Sequence, residues 1–112
     1  MARVEIVKSL AKEIEKKFKR ESRKIIDLLR SLEKNPDKGK PLGQVGGILI
    51  KELKYKSFRF YFILEKDKLK ILSKSFLIDL LIRFVRISDK KTQQKTINEI
   101  RQILRTFGEK VF

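Results

Sequence analysis

Residues 39–63 read GKPLGQVGGILIKELKYKSFRFYFI, and this run limits what the chain can become. Two apolar segments flank a polar break at Tyr55-Lys56-Ser57, and both are dense in β-branched and aromatic residues. That pattern predicts the two strands of a β-hairpin. Phe58, Phe60 and Phe62 alternate with Arg59, Tyr61 and Ile63, so the phenylalanines take one face of a strand and Arg59 the other. A strand that buries one face and holds a cation on the other is a rigid platform for phosphate. Gly46-Gly47 reads as a turn opening the first strand rather than as a phosphate-approach site.

At 112 residues the chain is expected to form one domain spanning 1–112, with 41% apolar residues to supply its core. Its charge is lopsided: 29 Lys and Arg stand against 14 Asp and Glu, a net +15. Such a field favours a polyanionic partner: RNA, DNA, an anionic membrane surface or an acidic protein. A lysine-rich thermophile surface is the plain alternative, but such surfaces balance Lys with Glu, and here the balance is missing. Cysteine and histidine are both absent. That rules out disulfides and thiolate or imidazole metal sites, and it removes the commonest general acid/base. Neither a metal nor a small-molecule cofactor is expected. The N-terminal residues lack the apolar run of a signal peptide, and the longest apolar stretch, 76–81, is interrupted by Asp79. A soluble, cytoplasmic protein is expected.

Residues 3–7 alternate as a short edge strand would, yet Val4, Val7, Leu10, Ala11, Ile14 and Phe18 also fit one helical stripe. A short strand passing into a helix near Ser9 reconciles the two readings. A second helix is expected over 21–34, with Ile25, Ile26, Leu29 and Leu32 inward, ended by the Asn35-Pro36 stop. After the hairpin, 65–68 reads as a turn and 69–73 as a further strand. Residues 74–79 fit a loop, a helical turn or a bulged strand. Residues 80–88 form another strand, with Arg83 and Arg86 on opposite faces. Ser88 or Asp89 caps a last helix near 90–105, whose stripe is Ile97, Ile100, Leu104 and Phe107, and Gly108 stops it. The fold class is α+β: an N-terminal helical hairpin packed on a small twisted antiparallel sheet of three to four strands, with a C-terminal helix.

Two motifs carry a family likeness. Glu52-Leu53-Lys54-Tyr55-Lys56-Ser57-Phe58-Arg59 fits x-L-[RK]-x-x-x-[YF]-R, and the aromatic strand follows it. Lys90-Lys91-Thr92-Gln93-Gln94-Lys95-Thr96 with Glu99-Ile100 is similar to a KKTQKTP..EI signature, with one extra Gln and with Ile97 in place of proline. Together they make the chain resemble the RelE/ParE toxin superfamily, closest to the phage-derived HigB-like branch and an archaeal-type member. The resemblance implies a RelE-like fold and a toxin of a type II toxin–antitoxin module. It implies a metal-independent mRNA endoribonuclease acting on the ribosome and inhibited by a cognate acidic antitoxin. Two alternatives stay open: a non-catalytic RNA- or ribosome-binding protein on the same fold, and a ParE-like gyrase inhibitor.

Cleaving RNA through its 2′-hydroxyl needs a base, an acid for the leaving oxygen and cations for the phosphorane. Arg59, matching the family arginine, is the candidate phosphate clamp, since a guanidinium can bind two phosphate oxygens. Its structural alternative is an ion pair with Glu52 or a helix carboxylate. Lys54 matches the upstream basic position, and Lys90 the catalytic or phosphate-binding basic group that the resemblance implies at the junction of last strand and last helix. Regular alternation puts Lys51 and Lys54 on opposite faces, so at most one shares the face of Arg59 unless a bulge intervenes. Glu52, a lysine of depressed pKa or a ribosomal group would serve as base. Lys51, Lys56, Arg83, Arg86, Lys91 and Lys95 complete the RNA-binding set. Tyr55 and Tyr61 either stack on a base or pack in the core.

Overall fold

A computed structural model describes residues 3–65, 81–108 and 111–112. The chain begins with strand β1 (Arg3–Ile6) and helix α1 (Lys8–Phe18). A 3-10 turn (Lys19–Glu21), helix α2 (Ser22–Arg30) and a second 3-10 turn (Ser31–Glu33) follow. Strands β2 (Lys40–Val45), β3 (Ile48–Tyr55), β4 (Phe58–Glu65) and β5 (Leu81–Asp89) then lead to the C-terminal helix α3 (Gln93–Thr106). The strands lie in the order β1-β5-β4-β3-β2.

The α+β class, the N-terminal helices and the C-terminal helix match expectation. The sheet differs in two respects. Among the described residues it has five strands, because residues 40–45 pair with β3 despite Pro41 and Gly43, and it is mixed, because β1 runs parallel to β5. Pro41 and Gly43 are tolerated because β2 is an edge strand with a register shift between them. The expected turn over 65–68, the strand over 69–73 and the ambiguous stretch 74–79 lie outside the described residues, except that Glu65 ends β4.

Local chemistry accounts for the connections. Gly46 and Gly47 join β2 to β3 as a two-residue loop with φ of 53° and 83°. Left-handed backbone at both positions suits the right-handed twist of a hairpin and is cheap only without a Cβ. Lys19, at φ 49°, breaks α1, and the Ser22 hydroxyl donates to its carbonyl to close the 3-10 turn. The helix expected over 21–34 shortens to α2 plus the 3-10 turn that carries buried Leu32.

Each face of the sheet has its own cover. On one, Phe58 and Phe60 meet Phe18 of α1; the Phe18 and Phe58 rings pack edge-on with centroids 4.9 Å apart. Leu10, Ile14, Ile25, Leu29 and Leu32 complete that layer and are fully buried. On the other, α3 contributes Ile97, Ile100 and Leu104, all buried. Phe107, expected in the same stripe, is 67% exposed. The last helix also starts later than expected, at Gln93. Asp89 closes the turn ahead of it instead of capping it: one carboxylate oxygen accepts from the Thr92 N–H at 2.9 Å and its hydroxyl at 3.0 Å. Among the described residues no helix is long and apolar enough to cross a membrane.

Candidate nucleic-acid interface

Strand register assembles the polar residues. Cross-strand partners share a face. Lys54 of β3 stands opposite Arg59 of β4, and Arg59 opposite Ser88 of β5. One step along, Glu52 stands opposite Tyr61, and Tyr61 opposite Arg86. The result is two adjacent rows, Lys54-Arg59-Ser88 and Glu52-Tyr61-Arg86, on the face covered in part by α3.

A β-bulge determines the third strand's contribution. Tyr61 pairs with Arg86 while its neighbour Phe62 pairs with Phe84, so Val85 is an extra residue. Arg83 and Arg86, expected on opposite faces, therefore both fall on the face of Tyr61 and Ile63. The inserted residue turns a three-residue spacing into a same-face one.

Arg59 is half-buried, and its hydrogen bond is a long one, 3.5 Å from Nη1 to the Phe58 carbonyl. Among the described residues it has no carboxylate partner, and the structural alternative of a pair with Glu52 is not realised. Lys54 is exposed beside it. Glu52 is 7% exposed, and its Oε2 accepts no hydrogen bond from any described residue. A buried polar atom without a partner is costly, which makes this oxygen an outlier among the described interior atoms.

Tyr61 and Ser88 are buried and share a hydrogen bond of 2.8 Å between their hydroxyls. Burial pushes the Tyr61 phenol above its ordinary pKa; the Glu52 carboxylate adds to this, while the Ser88 bond and Arg59 oppose it. The phenol stays protonated across the neutral range. Tyr61 thus packs in the core yet keeps a polar role, and Ser88, read only as a possible helix cap, is its partner.

Arg86 is engaged on three sides. Its Nε lies 2.8 Å from Glu99 Oε1 of α3, its Nη1 donates to the Val85 carbonyl at 2.8 Å, and its guanidinium carbon lies 5.1 Å from the Phe112 ring centroid. Arg83 Nε lies 3.0 Å from Glu5 Oε1, its partner in the parallel β1–β5 pairing. Lys90 and Lys91 are exposed in the turn between β5 and α3, and Lys95 in the first turn of α3. Hydrogen bonds from the Thr92 backbone and hydroxyl hold the Asp89 carboxyl below the usual range, so that turn keeps one fixed negative charge.

Two expected RNA contacts lie elsewhere. Lys51 stands on the face covered by α1 and α2, opposite Phe62. It is 7% exposed, donates to the Asp37 carbonyl at 3.2 Å and sits 5.8 Å from the Phe62 ring centroid. Lys56 occupies the β3–β4 turn and pairs with Glu21 at 3.0 Å, with Tyr55 also donating to that carboxylate at 3.4 Å. This contact raises the Lys56 pKa and lowers that of Glu21. Glu99, which the second motif contains, and Phe112 both lie against Arg86, a contact that the sequence does not announce. Their i, i+13 and i, i+26 separations from Arg86 leave no local signal. Among the described residues no three acidic side chains converge.

Fold and face together define an α+β domain with a five-stranded mixed sheet, one face of which carries a cation-rich polar grid. No family model, curated protein or solved structure matches the chain.

Proposed function

We infer that the chain is a RelE/HigB-like toxin: an mRNA endoribonuclease that works on the ribosome in the cytoplasm and is restrained by a small acidic antitoxin. The observation that carries this reading is Arg59, a half-buried guanidinium with no carboxylate partner among the described residues, side by side with Lys54. Structural arginines in a sheet are ordinarily neutralised. An unneutralised one leaves its fork of donors for a phosphate.

In the chemistry this supports, the 2′-oxygen attacks the adjacent phosphorus while its proton passes to a base. The 5′-oxygen leaves and takes up a proton, and a 2′,3′-cyclic phosphate remains. Arg59 holds the non-bridging oxygens as charge builds on them. In this reading Lys54, opposite Arg59, protonates the leaving oxygen, and Lys90 and Lys91 hold flanking phosphates. Glu52 is the candidate base, because its Oε2 accepts no hydrogen bond from a described residue and its row adjoins that of Arg59. Its burial favours a second reading, in which the grid binds RNA or the ribosome without cutting.

Mapping mRNA 5′ ends by primer extension in a translation reaction, with and without ribosomes, separates the two. New ends that need ribosomes and vanish with Arg59→Ala are the expected result. Intact mRNA alongside salt-sensitive RNA binding would leave the non-catalytic reading.

A further inference from the structure

Arg86 differs from Arg59, its neighbour in the grid, in being occupied by the chain itself. Glu99 presents an anionic oxygen to its Nε at 2.8 Å, and Phe112 presents an aromatic ring to its guanidinium at 5.1 Å. An anion against the edge and a ring against the plane are the two contacts a nucleotide makes with an arginine: phosphate on the donors, base on the π-face. The pair is partly wet, with side-chain exposures of 29% for Arg86 and 49% for Glu99. Such a pair contributes little to folding and can be displaced.

We propose that Arg86 is a nucleotide subsite for single-stranded RNA which Glu99 and Phe112 occupy in competition with the ligand. This rests on the RNA reading above and adds a regulation to it. The incoming strand exchanges the Glu99 carboxylate for a phosphate and the Phe112 ring for a base. Affinity is therefore set by how firmly the chain holds its own arginine. All three groups come from the C-terminal half of the fold: β5 supplies Arg86, α3 supplies Glu99, and Phe112 lies beyond α3. Any shift of α3 relative to β5 would change the number of cations open to RNA.

The test is binding of an unstructured RNA oligonucleotide by the full chain, titrated at several salt concentrations. Glu99→Gln is compared with Glu13→Gln, an exposed change on α1 that alters net charge equally. Glu99→Gln should tighten binding about two- to five-fold beyond Glu13→Gln, the range expected for releasing a partly exposed ion pair. The slope of log affinity against log salt should steepen by about 0.7, one more phosphate engaged. Phe112→Ala should tighten binding further. In an Arg86→Ala background both gains should disappear, which excludes a general effect of charge or loosened packing. The competition is overturned if Glu99→Gln matches Glu13→Gln, or if its gain survives without Arg86. If neither the natural chain nor Glu99→Gln binds the oligonucleotide, and mRNA stays intact with ribosomes, the RNA reading itself fails.

Discussion

The Tyr61–Ser88 pair offers a measurement in which the buried grid reports on itself. Both side chains are out of water, Tyr61 fully and Ser88 to 3% exposure, and their hydroxyls meet at 2.8 Å. Tyr61→Phe removes one oxygen and almost no volume, leaving the Ser88 hydroxyl buried without its partner. Ser88→Ala leaves the phenol in the same position. Each single change should cost about 1–3 kcal/mol, because an unsatisfied buried hydroxyl carries its full desolvation penalty. The double change leaves no orphan, so it should cost clearly less than the sum of the singles, with a coupling energy of about 1–3 kcal/mol. Against a total stability of about 5–15 kcal/mol, shifts of that size are readily resolved in urea unfolding. Additive single and double values would refute the premise that these two groups satisfy only each other.

The same pair predicts an alkaline signature. The Tyr61 pKa is raised in the folded chain, so above about pH 10 the unfolded chain loses its phenolic proton before the folded one does. The unfolded state then binds fewer protons, and stability must fall as pH rises from about 10 through the raised folded value. Tyr61→Phe removes that contribution and should flatten the alkaline limb. The chain has only two tyrosines, so in a Tyr55→Phe variant tyrosinate absorbance reports Tyr61 alone. Its signal should appear late in the folded protein and at the ordinary phenol value once urea unfolds it.

Two further outcomes follow from placement. Gly39 has φ +106°, and a Cβ there would lie 2.7 Å from Cζ of the buried Phe62 ring and 3.1 Å from the Glu52 carbonyl oxygen. Gly39→Ala should therefore cost about 2–5 kcal/mol from backbone strain and overpacking together, and urea unfolding at unchanged slope checks it. Lys51 and Lys54 are three residues apart but on opposite faces. Lys54→Ala should weaken RNA binding and lower its salt slope by about 0.7 with little effect on stability, while Lys51→Met leaves the slope unchanged. Equal slope changes for both would contradict the assignment of faces.

Much of this architecture is legible in the chain because its elements advertise themselves by period. The stripe Leu10-Ile14 in α1, Ile25-Leu29 in α2 and Ile97-Ile100-Leu104 in α3 are each buried as their spacing predicts. The β3–β4 hairpin follows from its alternation. What alternation cannot reveal is pairing with a distant segment. β1 has four residues, and its parallel partner β5 lies far along the chain, so nothing local announces the contact. β2 is masked by Pro41 and Gly43, residues that argue against a strand unless it lies at an edge. Lys51 misleads for another reason: a lysine within an alternating strand looks solvated, yet this one is enclosed because its ammonium finds the Asp37 carbonyl and the Phe62 ring.

Val85 has the largest consequence for the candidate site. Hydrophobicity alone reads β5 as a regular strand, since Val85 is as apolar as its neighbours, and a regular strand sends Arg83 and Arg86 to opposite sides. The bulge shifts only the residues after it, which brings Arg86 opposite Tyr61 and Ser88 opposite Arg59. Were Val85 a regular strand residue instead, a strand running on from Phe84 would put Arg86 and Ser88 on the face packed by α1 and α2. An arginine there would meet Phe18 and the phenylalanines of β4, and the Tyr61 phenol would have no partner. Bulging Val85 therefore keeps Arg86 and Ser88 off the face under α1 and α2, while the face partly covered by α3 gathers Arg59, Arg86 and the Tyr61–Ser88 pair. The grid is a product of the bulge, and its chemistry depends on where that single irregularity falls.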